Sequence, residues 1–561
     1  MQIFKSPPDL TGKWWTTIEI QGYTPELDDP SHEPASPEED AASYDSELVG
    51  RSLGKVGKGA GVLFVGTILG IFFNFLARLV IARYFSPEEY GIFNLFLTFL
   101  TIFVGIGMLG LTNGISRFIG YYMGSGENKK IKTVEGWGLL LGVISGILFG
   151  SILFLLAPEI APIFSAESEF ENYLKIAAVT IPFYVIFRSI LSVFRGHQRT
   201  KENILFYSFG RNTLFLIMCL AVGVFAFPFA GVIWSMFLAT VMMTLVSFAY
   251  YFLKHPSISV RSGRFTFDTS VGKRMLMFSL PLVLVDLMYQ VMGWADTLMI
   301  GIFLNPDSVG FYNVAKPLSV FISAGLSITI FIYTPLVAGL YAQKKFRENR
   351  IIFSVLTKWV CFMTLPFSMI LFLYSREVVN VFGSAYHPAI VPLQILVIAY
   401  FINNLMGPNG ATLTAYGKTK FLMYATCFAA ALNIVLNIIL IPRFGIVGAA
   451  AATALSVVSM NVIKGLKLYS MSGVHSMSAN NLKPVFSTVI SGTLLVMGLK
   501  LTPLPGLVQA AIALVAITLL FLVMLVLTKS LSDEDRDLIK MLEAKTGIKL
   551  LFFKKMLDRY T

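Results

Sequence analysis

The stretch Ser86-Pro87-Glu88-Glu89-Tyr90-Gly91-Ile92-Phe93-Asn94 returns as Asn305-Pro306-Asp307-Ser308-Val309-Gly310-Phe311-Tyr312-Asn313, with proline, acid, glycine, aromatic and asparagine in step. Arg199-Thr200-Lys201 is echoed by Lys418-Thr419-Lys420 at the same offset of about 219 positions, so two separate pairs agree on one register. A chain built twice folds into two halves of like topology. In a membrane, such duplication marks a transporter whose halves move about a shared central site.

Composition supplies the solvent. Of 561 residues, 55% are apolar and only 14% charged, which is far from a soluble domain. Runs of about 20 apolar residues place six spans over 58–85, 89–111, 133–157, 172–195, 203–226 and 229–253. Six more follow over 273–303, 309–341, 351–374, 387–416, 419–441 and 444–469, then a pair over 482–501 and 505–528. The expectation is an all-α integral membrane protein of about 14 transmembrane helices, with two parallel six-helix lobes and a C-terminal helix pair. The lobes are expected over 55–253 and 273–470, joined by a cytoplasmic linker over 254–272, with the extra pair within 482–528. Residues 1–54, acidic and proline-bearing, read as a disordered cytoplasmic tail, and 529–561 as an amphipathic cytoplasmic tail.

Lysine and arginine in short loops mark the cytoplasmic side. Lys129, Lys130 and Lys132, then Arg195, Arg199 and Lys201, then Lys254, Arg261, Arg264, Lys273 and Arg274 occupy alternate loops. Lys344, Lys345, Arg347, Arg350, Lys418 and Lys420 continue the series, whereas the loop around Glu159, Glu167, Glu169 and Glu171 is acidic. A multi-pass protein of the cell membrane with both termini cytoplasmic is expected. The net charge of +12 is then topological and calls for no nucleic-acid partner.

Several chemistries are excluded by pattern. Cys219, Cys361 and Cys427 form no CxxC pair, and His32, His197, His255, His387 and His475 have no ligand spacing, so no metal site is expected. Gly105-Ile106-Gly107-Met108-Leu109-Gly110 matches GxGxxG inside an apolar span and reads as helix packing. Gly54-Lys55-Val56-Gly57-Lys58-Gly59 lacks the ending of a Walker loop. Neither a cofactor nor an enzymatic activity is indicated.

What remains is polarity inside the spans, where an ionisable residue is costly enough to read as functional. Gly66, Gly70, Asn74 and Arg78 recur every fourth residue along one face of the first helix, which is expected to line the interior. The seventh helix carries Asp286, Gln290, Gly293 and Thr297 on one face with Asp296 beside it, and the eighth carries Tyr312, Lys316, Ser319, Ser323 and Ser327. Arg188, Arg211 and Lys358 also fall within spans. A guanidinium offers a planar fork that fits phosphate oxygens. Arg78, Asn74, Arg188, Arg211 and Lys316 are therefore the candidate substrate-binding residues, against a structural ion pair with Asp286 or Asp296. Those two aspartates are candidates for coupling to a proton or Na⁺ gradient, or for neutralising a nearby arginine. Arg83, Arg117 and Arg195 lie near span ends and read as snorkelling to the interface. Pro182, Pro281, Pro335, Pro366, Pro392 and Pro408 are expected to interrupt helices, and Asn403-Asn404 before Gly407-Pro408-Asn409-Gly410 to expose backbone to a cavity.

Leu76-Ala77-Arg78-Leu79 through Arg83-Tyr84-Phe85-Ser86-Pro87-Glu88-Glu89-Tyr90-Gly91 resembles the membrane proteins of polysaccharide biosynthesis, the Wzx-type oligosaccharide flippases. Ala295-Asp296-Thr297-Leu298-Met299-Ile300-Gly301 and the stretch from Asn433 and Asn437 to Gly448-Ala449-Ala450 are similar to that family's second half. The order of these motifs over residues 55–528 resembles the wider multidrug/oligosaccharidyl-lipid/polysaccharide exporter superfamily. The resemblance implies a MATE-like fold of two lobes around a central cavity. It also implies alternating access and a polyprenyl-phosphate- or diphosphate-linked glycan as cargo, carried among membrane lipids, with glycosyltransferases or a polymerase as partners. A cation-coupled multidrug antiporter of the same fold is the alternative, and a scaffold within a glycan-assembly complex a third reading.

Overall fold

The computed structural model of the chain describes residue 66 and residues 69–164, 169–254, 268–343, 345–474 and 479–530. The acidic tail, most of the linker and nearly all of the amphipathic tail lie outside the described residues. Each predicted span coincides with helix over most of its described length. Among the described residues, ten helices are long and apolar enough to cross a bilayer, one of them 54 residues long.

The first lobe contains α1 (69–84), α2 (Pro87–Gly107), α3 (Leu111–Gly124), α4 (Asn128–Phe164), α5 (Glu169–Gly196), α6 (Thr200–Asn203), a π-helical stretch (Ile204–Arg211), α7 (Asn212–Val224) and α8 (Ala230–Lys254). The second contains α9 (Thr269–Phe303), α10 (Pro306–Val320), α11 (Ala324–Ala342), α12 (Phe346–Leu373), α13 (Ser375–Asn380), α14 (Ile390–Leu405), α15 (Asn409–Ala415) and α16 (Thr419–Ser472). Helices α17 (Ala479–Lys500) and α18 (Gly506–Leu527) form the added pair. At 1.5 Å per residue, α16 would run about 80 Å, far beyond a hydrocarbon core of about 30 Å. Gly445, with φ 58° and ψ −141°, divides it into two spans.

The repeated motif is a helix start. Ser86 Oγ accepts the Glu89 amide, Glu89 accepts the Ser86 amide at 2.8 Å, and Pro87 takes the first turn of α2. Asn305 accepts the Ser308 amide at 2.9 Å, with Pro306 opening α10. The two starts lie against each other. A Cβ on Gly91 would fall 1.8 Å from the Pro306 carbonyl oxygen, and one on Gly310 2.1 Å from that of Pro87. Only glycine at both positions lets the backbones cross this closely. The Tyr90 hydroxyl donates to the Asn313 carbonyl at 3.3 Å beside this crossing.

Several expected breaks fall elsewhere. The helix continues through Pro182, Pro281, Pro335 and Pro366, whereas Pro392 stands in the first turn of α14, just after the 3-10 stretch Ser384–Ala389. A freed carbonyl inside a bundle finds other donors or local adjustment, so proline alone does not end a span. The irregular points are the π-helical stretch, the 3-10 turn Phe321–Ser323, Gly407 and Gly445. The Gly407 break does not open backbone to a cavity: Thr357 and Phe353 pack against it, and Asn404 and Asn409 are buried. Residues 111–124, lying in an expected loop, are helical as α3.

Gly91→Val is expected to open the crossing of α2 and α10. Overpacking costs about 1–3 kcal/mol, enough to displace the conformational equilibrium at least about fivefold. With Cys219, Cys361 and Cys427 replaced, a cysteine at the buried Val309 should react correspondingly faster with an impermeant thiol reagent in the Gly91→Val background. Equal labelling in the two backgrounds would show that the crossing does not gate this face.

Candidate functional site

The internal repeat extends into the polar interior. Asn94 on α2 donates to the Tyr90 carbonyl at 2.7 Å, and its Oδ1 accepts Arg78 Nη1 at 2.9 Å. In the second lobe Asn313, at the matching position, donates to the Val309 carbonyl at 2.9 Å and to Thr297 Oγ1 at 3.3 Å. Arg78 and Thr297 are themselves repeat equivalents, as are Ala77 and Asp296. One framework thus carries a cation in the first lobe and, one residue away, an anion in the second.

Asp296 is fully buried, with 0% exposure, and is held by one ammonium and four neutral donors. Oδ2 accepts the Tyr312 hydroxyl at 2.7 Å, Thr453 Oγ1 at 2.8 Å and Lys316 Nζ at 3.1 Å. Oδ1 accepts Asn437 Nδ2 at 3.0 Å and Asn433 Nδ2 at 3.2 Å. Lys316 also donates to the Gly293 carbonyl at 2.7 Å. An isolated charge in this setting would be prohibitive, whereas a paired and hydrogen-bonded one persists. The cluster joins α9, α10 and both arms of α16. Two expected site residues, Lys316 and Asp296, are therefore brought together, and the counter-charge of Asp296 is this lysine. The candidate coupling residue Asp286 lies on α9, but its side chain is outside the described residues.

Arg211 closes the π-helical stretch and is buried, with 7% exposure. Its guanidinium lies 4.7 Å from the Tyr184 ring centre and 5.7 Å from that of Tyr207. Its Nε and Nη1 have no hydrogen-bond partner. The extra residue of a π turn rotates the side chains that follow, and such turns recur at functional sites. Arg188, half-buried on α5, acts electrostatically on the same two tyrosines. Arg78 is held differently: Nε donates to Asn74 Oδ1 at 3.2 Å and Nη1 to Asn94, both neutral partners. Among the described residues, no first-lobe arginine pairs with Asp296.

Part of the first-helix stripe is a packing seam and not a cavity wall. A Cβ on Gly66 would meet Ile204, and one on Gly70 would meet Ser208, because α1 lies against the π-helical stretch there. Asn212 Nδ2 fixes that contact by donating to the Gly70 carbonyl at 3.0 Å. Lys358 is also structural: Nζ donates to the Ser530 carbonyl at 2.8 Å, anchoring the end of α18. Arg83, Arg117 and Arg195 are exposed, and Arg117 covers the Phe278 ring at 4.1 Å. Thr453, Asn433 and Asn437 were not singled out as site residues. The available signal was two asparagines four apart in an otherwise apolar span, which places both on one helix face.

Two helical lobes of repeated topology, crossed at one end and carrying interior charges one residue apart in the repeat, define a two-lobed membrane transporter. The family model for polysaccharide biosynthesis proteins matches residues 56–331, and the MatE model matches residues 281–439. The two matches together span residues 56–439 and make the chain similar to the polysaccharide-biosynthesis membrane proteins in its first lobe and to the MatE transporters in its second. A Haloferax volcanii protein named for flipping in low-salt glycan biosynthesis is 32% identical over 29% of this chain, a match spanning 35% of that relative's length. A Shigella flexneri protein named for O-antigen transport is 23% identical over 67% of this chain and 89% of its own. The fold is that of an inward-facing multidrug MATE transporter, with TM-score 0.62 and 16% identity over 72% of this chain and 94% of the other. It is equally that of the lipid II flippase MurJ, with TM-score 0.61 and 15% identity over 82% and 97%.

Asp296→Asn is expected to leave the Lys316 ammonium without its counter-charge, at a cost of about 3–5 kcal/mol. The thermal midpoint of the purified protein should fall, and Asp296→Asn combined with Lys316→Met should recover part of the loss. Additive losses in the double variant would show that the two groups do not act as a pair.

Proposed function

We propose that the protein is a flippase. It carries a lipid-linked oligosaccharide or polysaccharide repeat unit from the cytoplasmic to the outer leaflet, holding it through a phosphate or diphosphate group. The observation that carries this reading is the buried Arg211 between Tyr184 and Tyr207, two of whose guanidinium nitrogens have no hydrogen-bond partner among the described residues. A buried donor left unsatisfied is costly, and an anionic oxygen supplies what it lacks. Arg188 and the Arg78–Asn74 pair extend the cationic surface of the same lobe. The carboxylate of Asp296 is occupied by Lys316, which disfavours an organic-cation cargo and with it the multidrug alternative.

Lys316 links cargo to coupling. In this conformation its ammonium holds Asp296; when it turns to an anionic headgroup, the carboxylate and its ring of Asn433, Asn437 and Thr453 are left to a proton or Na⁺. An ion gradient then resets the pair and returns the lobes. With both termini cytoplasmic, as the basic loops indicate, the crossed turns at Gly91 and Gly310 close the outer face, and cargo is loaded from the cytoplasmic leaflet of the cell membrane. Glycosyltransferases would supply that cargo on one side, and a polymerase or transferase would consume it on the other.

The test is depletion of the protein followed by mass spectrometry of the lipids that accumulate, with flipping then measured in proteoliposomes. Arg211→Ala and Arg78→Ala should each lower the rate about ten- to hundredfold, the loss of a charge-assisted contact, without loss of expression. Arg83→Gln should retain transport, since Arg83 is exposed at a span end. Normal flipping by both alanine variants would remove the anionic-headgroup reading. Accumulation of no phosphate-linked glycan lipid would remove the flippase reading.

A further inference from the structure

We propose that Lys464 and the side-chain amide of Asn409 form a second oxyanion site, inside the second lobe, that takes a phosphate or a sugar carboxylate. Lys464 lies on the second arm of α16, within the span expected over 444–469, and is buried, with 8% exposure. Its ammonium has neither a hydrogen-bond nor an ion-pair partner among the described residues. The other lysines inside this lobe are satisfied, Lys316 by Asp296 and Lys358 by the Ser530 carbonyl. A buried cation with no partner is costly, and one kept within a span is kept for what it binds.

Snorkelling does not account for this lysine. Ser472 ends α16 about 12 Å further along the axis, and side chains on a helix lean toward its N-terminus, away from that end. One turn beyond Lys464 on the same face, Leu468 is fully buried in an apolar cluster with Tyr333, Leu413 and Tyr416, which closes that direction. Toward the start of the arm the same face carries Asn461, Val457 and Thr453, the last bonded to Asp296. Lys464 therefore faces the interior of the lobe. Asn461 Nδ2 donates to Asn403 Oδ1 at 2.9 Å, which brings α14 to this face. A Cβ on Gly465 would lie 3.5 Å from Asn409 Nδ2, which brings α15 to it as well. Asn409 is buried, with 3% exposure, and its side chain makes no hydrogen bond among the described residues. A cation and an amide, both without partners, are thus buried where α15 meets α16. Each donates, and an oxyanion accepts from both, whereas a cationic ligand would meet the ammonium. An ammonium is a point charge without the planar fork of arginine, so a phosphate oxygen and a carboxylate oxygen suit it alike. The site does not rest on the flippase reading, although a glycan lipid bearing a phosphate and an acidic sugar would present one group to each lobe.

The experiment is a thermal-melt titration of the purified full-length protein in detergent at constant ionic strength, with inorganic phosphate in one arm, glucuronate in another and chloride as the reference. Arg211→Met is the background, so that the first-lobe guanidinium contributes nothing. An oxyanion is expected to raise the midpoint, and adding Lys464→Met should raise the half-saturating concentration at least about tenfold, the loss of a charge-assisted contact. A response to phosphate alone assigns the site a phosphate group, and a response to glucuronate alone an acidic sugar. In chloride, Lys464→Met by itself should melt higher than the wild type, because it removes an unpaired buried charge and keeps an apolar stem of similar length. A lysine with a purely structural role would melt lower on replacement. No response to either oxyanion, a response unchanged by Lys464→Met, or a lower midpoint for Lys464→Met in chloride overturns the proposal. Should Arg211→Met not fold, the chloride comparison of Lys464→Met with the wild type decides. Cargo lipid is absent from the measurement, so its outcome is separate from that of the flippase reading, which turns on the lipids that accumulate on depletion.

Discussion

The crossing of α2 and α10 is the contact on which the two-lobed arrangement depends. Each helix presents a glycine to the first-turn carbonyl of the other, Gly91 to Pro306 and Gly310 to Pro87, so the contact maps onto itself when the lobes are exchanged. In lipid, apolar burial gives little drive for helices to associate, and close backbone approach with its dispersion contacts takes over. A contact of this kind is all or none: it exists at backbone distance or opens. Under the proposed flippase reading, opening this contact would supply the second arrangement that alternating access requires.

From the crossing, the same framework runs inward in both lobes through Asn94 and Asn313. What each asparagine meets has diverged. Arg78 in the first lobe bonds only neutral amides, leaving its charge uncompensated, and Arg211 deeper in that lobe lacks partners for two nitrogens. In the second lobe Asp296 is saturated by Lys316, Tyr312, Thr453, Asn433 and Asn437. The first half keeps donors open at Arg211, and the second closes the charge of Asp296.

Most of the architecture was legible in the sequence because it follows from length and repetition. Apolar runs fix where helices cross a bilayer, and the echo of Pro87 and Pro306 fixes that there are two lobes. The breaks were not legible. Proline was the visible signal, yet four of the six singled-out prolines sit in continuous helix, and a π turn at Ile204–Arg211 leaves no signature in residue type. The site was legible as residues and illegible as pairings. Gly66 and Gly70 share a stripe with Asn74 and Arg78, but whether a small residue lines a cavity or a seam depends on the neighbouring helix, here the one carrying Ile204 and Ser208.

The sequence alone determined an all-helical membrane protein of two repeated lobes and a first lobe rich in cations. These are properties of composition, period and register, which each segment carries by itself. Only the tertiary structure decided which charges remain available. Asp296 meets Lys316 within 20 residues but meets Asn437 and Thr453 across 141 and 157, and no local pattern encodes contacts of that separation. In a low-dielectric interior, partners decide whether an ionisable group is a site or a brace. By that measure Lys358 and Asp296 are held and Arg211 is open.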